Sequence, residues 1–238
     1  SGTDGGKHYL ADRIIGLMPP RCKAPNAPRS DDDGWLHYVE PYFGGGAVLL
    51  ANDPEGISEV VNDLNRHLTN FWQVLRQDDS FGQLMRIIQT VPFSEHEYAL
   101  AEGTAFCDGS AIEKAFAFFI RCRQSLSGRM QGFASITRNR TRRGMNEQVS
   151  AWLNCIEGLP AVHERMKRVL IRSGPALDVI RKEDGPRTLF YLDPPYLHET
   201  RATTGEYEHE MTADQHSELL SALANVKGRF LLSGYRSK

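Results

Sequence analysis

The chain has 238 residues, 40% of them hydrophobic, with 28 Lys or Arg against 30 Asp or Glu for a formal charge of −2. That is ordinary globular composition, enough for one α/β domain carrying a smaller insert or for two compact domains. No apolar run approaches the roughly 20 residues of a membrane helix. The N-terminus lacks the charged-then-apolar order of a secretory signal. A near-neutral chain confines any nucleic-acid surface to a local basic patch.

In chain order, residues 7–18 space Leu10, Ile14, Leu17 and Met18 as a short amphipathic helix. A Pro- and Asp-rich loop covers 19–34. Residues 37–40 form a strand, followed by a glycine turn and a helix over 47–50. A second strand spans 57–62 and a helix 64–75. Strand, turn, helix and strand in that order imply a parallel sheet with crossover helices. Residues 81–119 read as mostly helical, broken at Val91-Pro92. Residues 121–146 are rich in Arg, Gly and Ser and hold no acid, and helix returns over 146–169. Strands at 188–192 and 229–233 flank a helix at 212–224. The fold class is therefore α/β: one sheet from residues 1–80 and 160–238, interrupted by a mainly helical insert at 81–159. Cys22, Cys107, Cys122 and Cys155 are scattered, which predicts free thiols in a reducing cytosol and no metal site.

Glu40-Pro41-Tyr42-Phe43-Gly44-Gly45-Gly46-Ala47 follows the first strand and opens a helix. Glycines there let the backbone turn tightly and approach a ligand, and the helix start presents unpaired N–H groups. Asp63 lies about 20 residues on, where an acid accepts hydrogen bonds from ribose hydroxyls. Gly44-x-Gly46 meets only half of the dinucleotide pattern, because Leu49 holds the third position. A nucleoside without phosphates, such as S-adenosylmethionine, suits this turn better than a dinucleotide; the competing reading is a plain tight strand-to-helix turn.

Asp193-Pro194-Pro195-Tyr196 ends the strand at 188–192, at the sheet edge where α/β proteins bind ligands. Neither proline can extend the ladder, so the pair makes a stiff corner. The corner offers a carboxylate, a main-chain carbonyl and an aromatic ring side by side. An exocyclic aromatic amine is a poor nucleophile, since its lone pair is delocalised. Two acceptors on its N–H bonds favour a tetrahedral nitrogen, while the ring stacks on an extruded base. The alternative is a rigid strand-end turn with a satisfied Asp.

These residues make the sequence resemble the Dam-type, or D12-class (alpha-group), DNA adenine-N6 methyltransferases. The resemblance rests on Gly5-Gly6-Lys7, the Glu40–Gly46 turn, Asn62-Asp63-Leu64-Asn65 and Asp193-Pro194-Pro195-Tyr196, in that order across nearly the whole chain. It implies a Rossmann-like class I S-adenosylmethionine-dependent methyltransferase sheet with a target-recognition insert. It implies cofactor contacts from Lys7, Glu40, Tyr42, Phe43, Gly44, Gly46, Asn62, Asp63 and Asp193. The target amine falls to Asp193 and Pro194, with Pro195 stiffening the corner and Tyr196 stacking on a flipped adenine. Thr3 and Asp4 stand where family members often carry an aromatic residue or proline. The chain also ends at Ser233-Gly234-Tyr235-Arg236-Ser237-Lys238, where the family fold normally continues with a helix and a strand pair.

Arg121, Arg123, Arg129, Arg138, Arg140, Arg142 and Arg143 cluster in the insert among Ser, Gln, Thr and Asn. Arginine binds phosphates and reads guanine bidentately. Gly128, Gly132 and Gly144 suggest hairpin turns. The cluster is expected to bind double-stranded DNA, against the alternative of a solvated surface. The polar segment from His198 to Gly205 is read equally as a mobile loop over the flipped base or as an exposed connection. The overall expectation is a cytoplasmic, metal-independent adenine-N6 methyltransferase, monomeric or weakly dimeric. Cytosine-N4 methylation and a catalytically silent DNA-binding module are the competing readings.

Overall fold

The computed structural model describes residues 8–22, 34–104, 109–128, 130–134, 136–195 and 211–234. By internal contacts the chain divides into two compact units. One is Asn65–Arg168; the other holds the described parts of Lys7–Leu64 and Val169–Lys238.

The second unit is built on a five-stranded sheet. Its strands are β1 (His37–Glu40), β2 (Ser58–Asn62), β5 (Leu170–Arg172), β6 (Thr188–Leu192) and β7 (Arg229–Leu232), in the order β5-β2-β1-β6-β7. Every pairing is parallel: β1 aligns Val39 with Val60 of β2 and with Phe190 of β6, and β6 aligns Leu192 with Leu232 of β7. From β1 the chain builds outward to β2 and β5, then returns to the other side of β1 for β6 and β7. The order reverses between β1 and β6, the topological switch point at which open α/β sheets bind ligands. β6, Thr-Leu-Phe-Tyr-Leu, is buried along its whole length, as parallel strands covered on both faces are.

Period-two alternation sorts the side chains onto two unlike faces. Val39, Val60, Phe190 and Leu192 pack with Val179 and Ile180 of α8 (Ala176–Glu183) and Leu219 and Leu223 of α9 (Ala213–Leu223) in one apolar core. The opposite face carries Tyr38, Glu40, Glu59 and Tyr191, all buried, beside α2 (Ala47–Ala51) with its buried Val48 and Leu49. α1 (His8–Gly16) packs on α2.

The other unit is helical: α3 (Arg66–Arg76), α4 (Asp78–Ile88), α5 (Glu95–Thr104), α6 (Ala111–Gln124) and α7 (Glu147–Met166), with the small hairpin β3 (Thr141–Arg142) and β4 (Met145–Asn146) before α7. It is wider at both ends than the expected 81–159. α3 directs Phe71 onto Phe118 and Phe119 of α6, at 5.5 and 5.8 Å between ring centroids, so the first helix after β2 belongs to this unit. Near the end of α7, His163 bonds the Leu75 carbonyl through Nδ1 at 2.6 Å and stacks on Phe81 at 4.1 Å. β5 and α8 were not expected from the sequence. β5 has only three residues, too few for a periodic signal.

Phe190 is fully buried between α8, α9 and the sheet. Phe190→Ala should lower unfolding stability by about 3–5 kcal/mol, read from the urea midpoint at constant slope.

Candidate active site

Because all five strands are parallel, the loops at residues 41–46, 63–65, 173–175 and 193–195 leave the same sheet edge. The glycine turn after β1 is tied down from below. Phe43 N–H donates to the Asn62 carbonyl at 2.9 Å, Gly46 N–H to the Phe43 carbonyl at 3.0 Å, and Gly44 N–H to Oδ2 of Asp63 at 2.9 Å. Gly46 precedes α2 with φ +68°. A β-carbon there would stand 2.7 Å from Cζ of Phe43, whose ring is 4% exposed and packed under the turn. At Gly44 and Gly45 a β-carbon would meet nothing within 4 Å. The turn therefore has a filled underside and an open outer side, the shape of a cradle for a flat ligand.

Asn62 is 1% exposed. Its Nδ2 donates to the carbonyls of Pro41 and Gly174, both at 3.0 Å, and its Oδ1 accepts from Gly174 N–H at 3.0 Å. It clasps the glycine turn to the β5–α8 loop, so its side chain faces the main chain. Tyr42 is half-buried against the α8/α9 core, and burial pushes its hydroxyl up to about 12. Gly174 was not singled out from the sequence. The signal was Ser173-Gly174-Pro175 one residue after the apolar pair Leu170-Ile171.

Glu40 sits beneath the turn, 2% exposed. It accepts the Tyr38 hydroxyl at 2.7 Å and the Leu49 N–H. Burial, reinforced by the neighbouring carboxylates of Glu59 and Asp193, pushes its carboxyl up to about 8 despite those two hydrogen bonds. Asp193 follows β6, the strand paired with β1, and so leaves the sheet at the same edge as the glycine turn. The backbone leaves β6 at Asp193, which is half-buried; Pro194 is buried and Pro195 half-buried. The ladder continues on the other side of β6, where Ser233 N–H donates to the Leu192 carbonyl at 2.8 Å, and ends at the prolines. Lys7, Tyr196 and the polar segment after it lie outside the described residues.

In the helical unit, Arg121 and Arg123 occupy the last turn of α6, where cations complement the helix dipole. Arg121 donates to the Met130 carbonyl at 3.2 Å, and Arg123 is exposed. Arg138, Arg140, Arg142 and Arg143 are exposed on and before the hairpin, while Arg129 lies outside the described residues. Acids distant in sequence reach two of them: Glu147 stands 3.8 Å from Arg140, and Glu157 stands 3.1 Å from Arg143. Among the described residues no group of three or more His, Cys, Asp or Glu is placed to hold a metal ion, and no helix is long and apolar enough to cross a membrane.

A doubly wound parallel sheet, with a glycine turn after its first strand and an Asp-Pro-Pro corner on the neighbouring strand, makes a Rossmann-like α/β fold with two special turns at its switch point. The sequence matches the D12 class N6 adenine-specific DNA methyltransferases over residues 4–237, and the chain belongs to that family. It is similar to the Type II methyltransferase M1.LlaDCHI of Lactococcus lactis subsp. cremoris, at 26% identity over 221 residues covering 87% of this chain and 68% of that one. It is thus an adenine-N6 DNA methyltransferase.

Two outcomes test the site's construction. Gly46→Ala forces a side chain into a left-handed backbone and onto the Phe43 ring, and should cost about 1–3 kcal/mol, with Phe43→Leu in the same chain regaining part of the melting temperature. The Glu40 carboxyl holds its proton more tightly folded than unfolded, so it stabilises least where the unfolded chain ionises freely. Relative to Glu40→Gln, the parent should lose stability as pH rises from about 4.5 to about 8 and match the variant below 4.5. Melting curves across that range check the sign.

Proposed function

We propose that the sheet edge above β1 and β6 binds S-adenosylmethionine and an adenine extruded from double-stranded DNA, and that the helical unit carries target recognition. The observation that carries the reading is the side-by-side parallel pairing of β1 and β6. It puts the glycine turn and Asp193 on one edge at the switch point. The cradle fits the cofactor: its outer side is open at Gly44 and Gly45, and it is bordered by acids suited to a cationic nucleoside.

When bound, the cofactor supplies an electrophilic methyl carbon for the N6 lone pair. Asp63 accepts from Gly44 N–H through Oδ2, and by family resemblance its carboxylate takes the ribose hydroxyls. Phe43 and Asn62 act by fixing the turn. Glu40 acts from beneath as a buried, mainly neutral group that limits the negative charge gathered at the edge. The Asp193 carboxylate and the Pro194 carbonyl accept the two N6 hydrogens, which localises the nitrogen lone pair and stabilises positive charge as the bond forms. Proton loss follows methyl transfer, to Asp193 or to water. By family resemblance Lys7 joins the cofactor site and Tyr196 stacks on the base.

Arg123, Arg138, Arg140 and Arg142 supply exposed positive charge for the DNA backbone and bases. Arg121 supports them from within the fold. The likeness to a Type II methyltransferase supports a modification role beside a restriction enzyme; a cytoplasmic location and a monomeric or weakly dimeric state complete the same reading.

Asp193→Ala should reduce methyl transfer to a duplex by at least ~10²–10³-fold, the scale of losing a preorganised charged contact to the reacting group. Its melting temperature should stay close to the parent's, which separates loss of the reacting contact from loss of the fold. Near-parental activity in this variant would refute the proposed site.

A further inference from the structure

The hairpin before α7 is fastened to that helix at both ends. At its root, Asn146 caps α7 by accepting from Gln148 N–H at 2.9 Å, and its Nδ2 donates to the Thr137 carbonyl at 2.8 Å. Glu147 N–H donates to the Arg140 carbonyl at 3.1 Å, and the Thr137 hydroxyl reaches Glu147 at 3.0 Å and Gln148 at 3.1 Å. At its tip, Arg143 and Gly144 are the two turn residues between Arg142 and Met145, with φ +54° and +73°. Positive φ at both positions is the tight hairpin turn that ordinarily takes Asn or Gly first. Arginine there carries backbone strain.

The side chain that accepts this strain is not pointed away from the protein. Nη1 of Arg143 bonds Oδ1 of Asn154 at 2.5 Å. Nη1 and Nη2 together grip the Glu157 carboxylate at 3.1–3.2 Å. Asn154 and Glu157 are three residues apart on α7 and so share one face of it. The partners are exposed, so the pair adds little to global stability. A two-pronged guanidinium contact with a third acceptor does fix direction, however. It lays the hairpin along α7 and leaves its neighbour Arg142, one residue before the turn, exposed.

We infer that Arg143 is a positioning residue: with Asn154 and Glu157 it clamps the hairpin tip to α7, so that Arg142 meets DNA in one preset orientation. The inference rests on the reading that this unit binds DNA. Its cost-saving is that of preorganisation, since an untethered hairpin must be ordered during binding.

The test uses the full chain, an anisotropy assay with a cognate and a scrambled duplex across salt concentrations, and steady-state kinetics. Arg143→Ala and Glu157→Gln should each reduce discrimination between the duplexes by about three- to tenfold, the factor for leaving one or two long side chains to be ordered on binding. Neither should change the slope of log affinity against log salt. The exchange R143E with E157R rebuilds the clamp with reversed polarity and should restore discrimination to near the parent's. Arg142→Ala should lower the salt slope by about one, with no rescue from position 157. The clamp is overturned if Arg143→Ala lowers the salt slope by a full unit and the exchange fails to rescue. It is equally overturned if Glu157→Gln strengthens binding by freeing Arg143 for a phosphate. If instead Arg142→Ala and Arg138→Ala leave DNA affinity untouched, the DNA-binding reading of this unit fails, separately from the clamp.

Discussion

β1 and β6 lie side by side and run the same way, and the chemistry of the protein is arranged around that pairing. In sequence, Glu40 and Asp193 are separated by the whole helical unit. In the sheet they leave adjacent strands at one edge, close enough for their charges to interact. The register is demanding. A slip of one residue would turn Tyr38 and Glu40 into the apolar core and Val39 out of it. The anchors on each side, Val39 against Val60 and Phe190, are fully or almost fully buried, and that burial opposes a slip.

Given that register, the edge is held by backbone geometry more than by side-chain packing. The glycine turn hangs from the Asn62 carbonyl and the Asp63 carboxylate, and Asn62 in turn clasps the loop after β5. The prolines after Asp193 end the ladder on one side of β6, while Ser233 extends it on the other. A rigid support of this kind suits group transfer, which depends on positioning. The unlike faces of the sheet complete the arrangement. One is a dry apolar core under α8 and α9. The other buries Tyr38, Glu40, Glu59 and Tyr191, so a carboxyl whose pKa burial pushes up to about 8 lies beneath the turn.

The helical unit solves a different problem, that of carrying positive charge without losing its direction. Seven arginines lie within a stretch that contains no acid. Folding supplies acids from α7 to two of them, and the last turn of α6 carries two more. Charge that is partly engaged inside the fold is held in direction as well as in place.

The sequence by itself determined the strands at 37–40 and 188–192 and the two special turns that follow them, because prolines and glycines constrain backbone locally whatever surrounds them. It also determined the family, through the order of those turns. It did not reveal β5 and α8, since three strand residues and two helical turns carry too little periodicity. Nor did it reveal that α3 belongs with α6, because a helix after a strand looks like a crossover until Phe71 meets its partners. The tertiary structure alone decided that Asn62 faces main chain, that Glu40 is buried among acids, and that Arg143 is held by Glu157. Each of these depends on groups far apart in the chain that only packing brings within hydrogen-bonding distance.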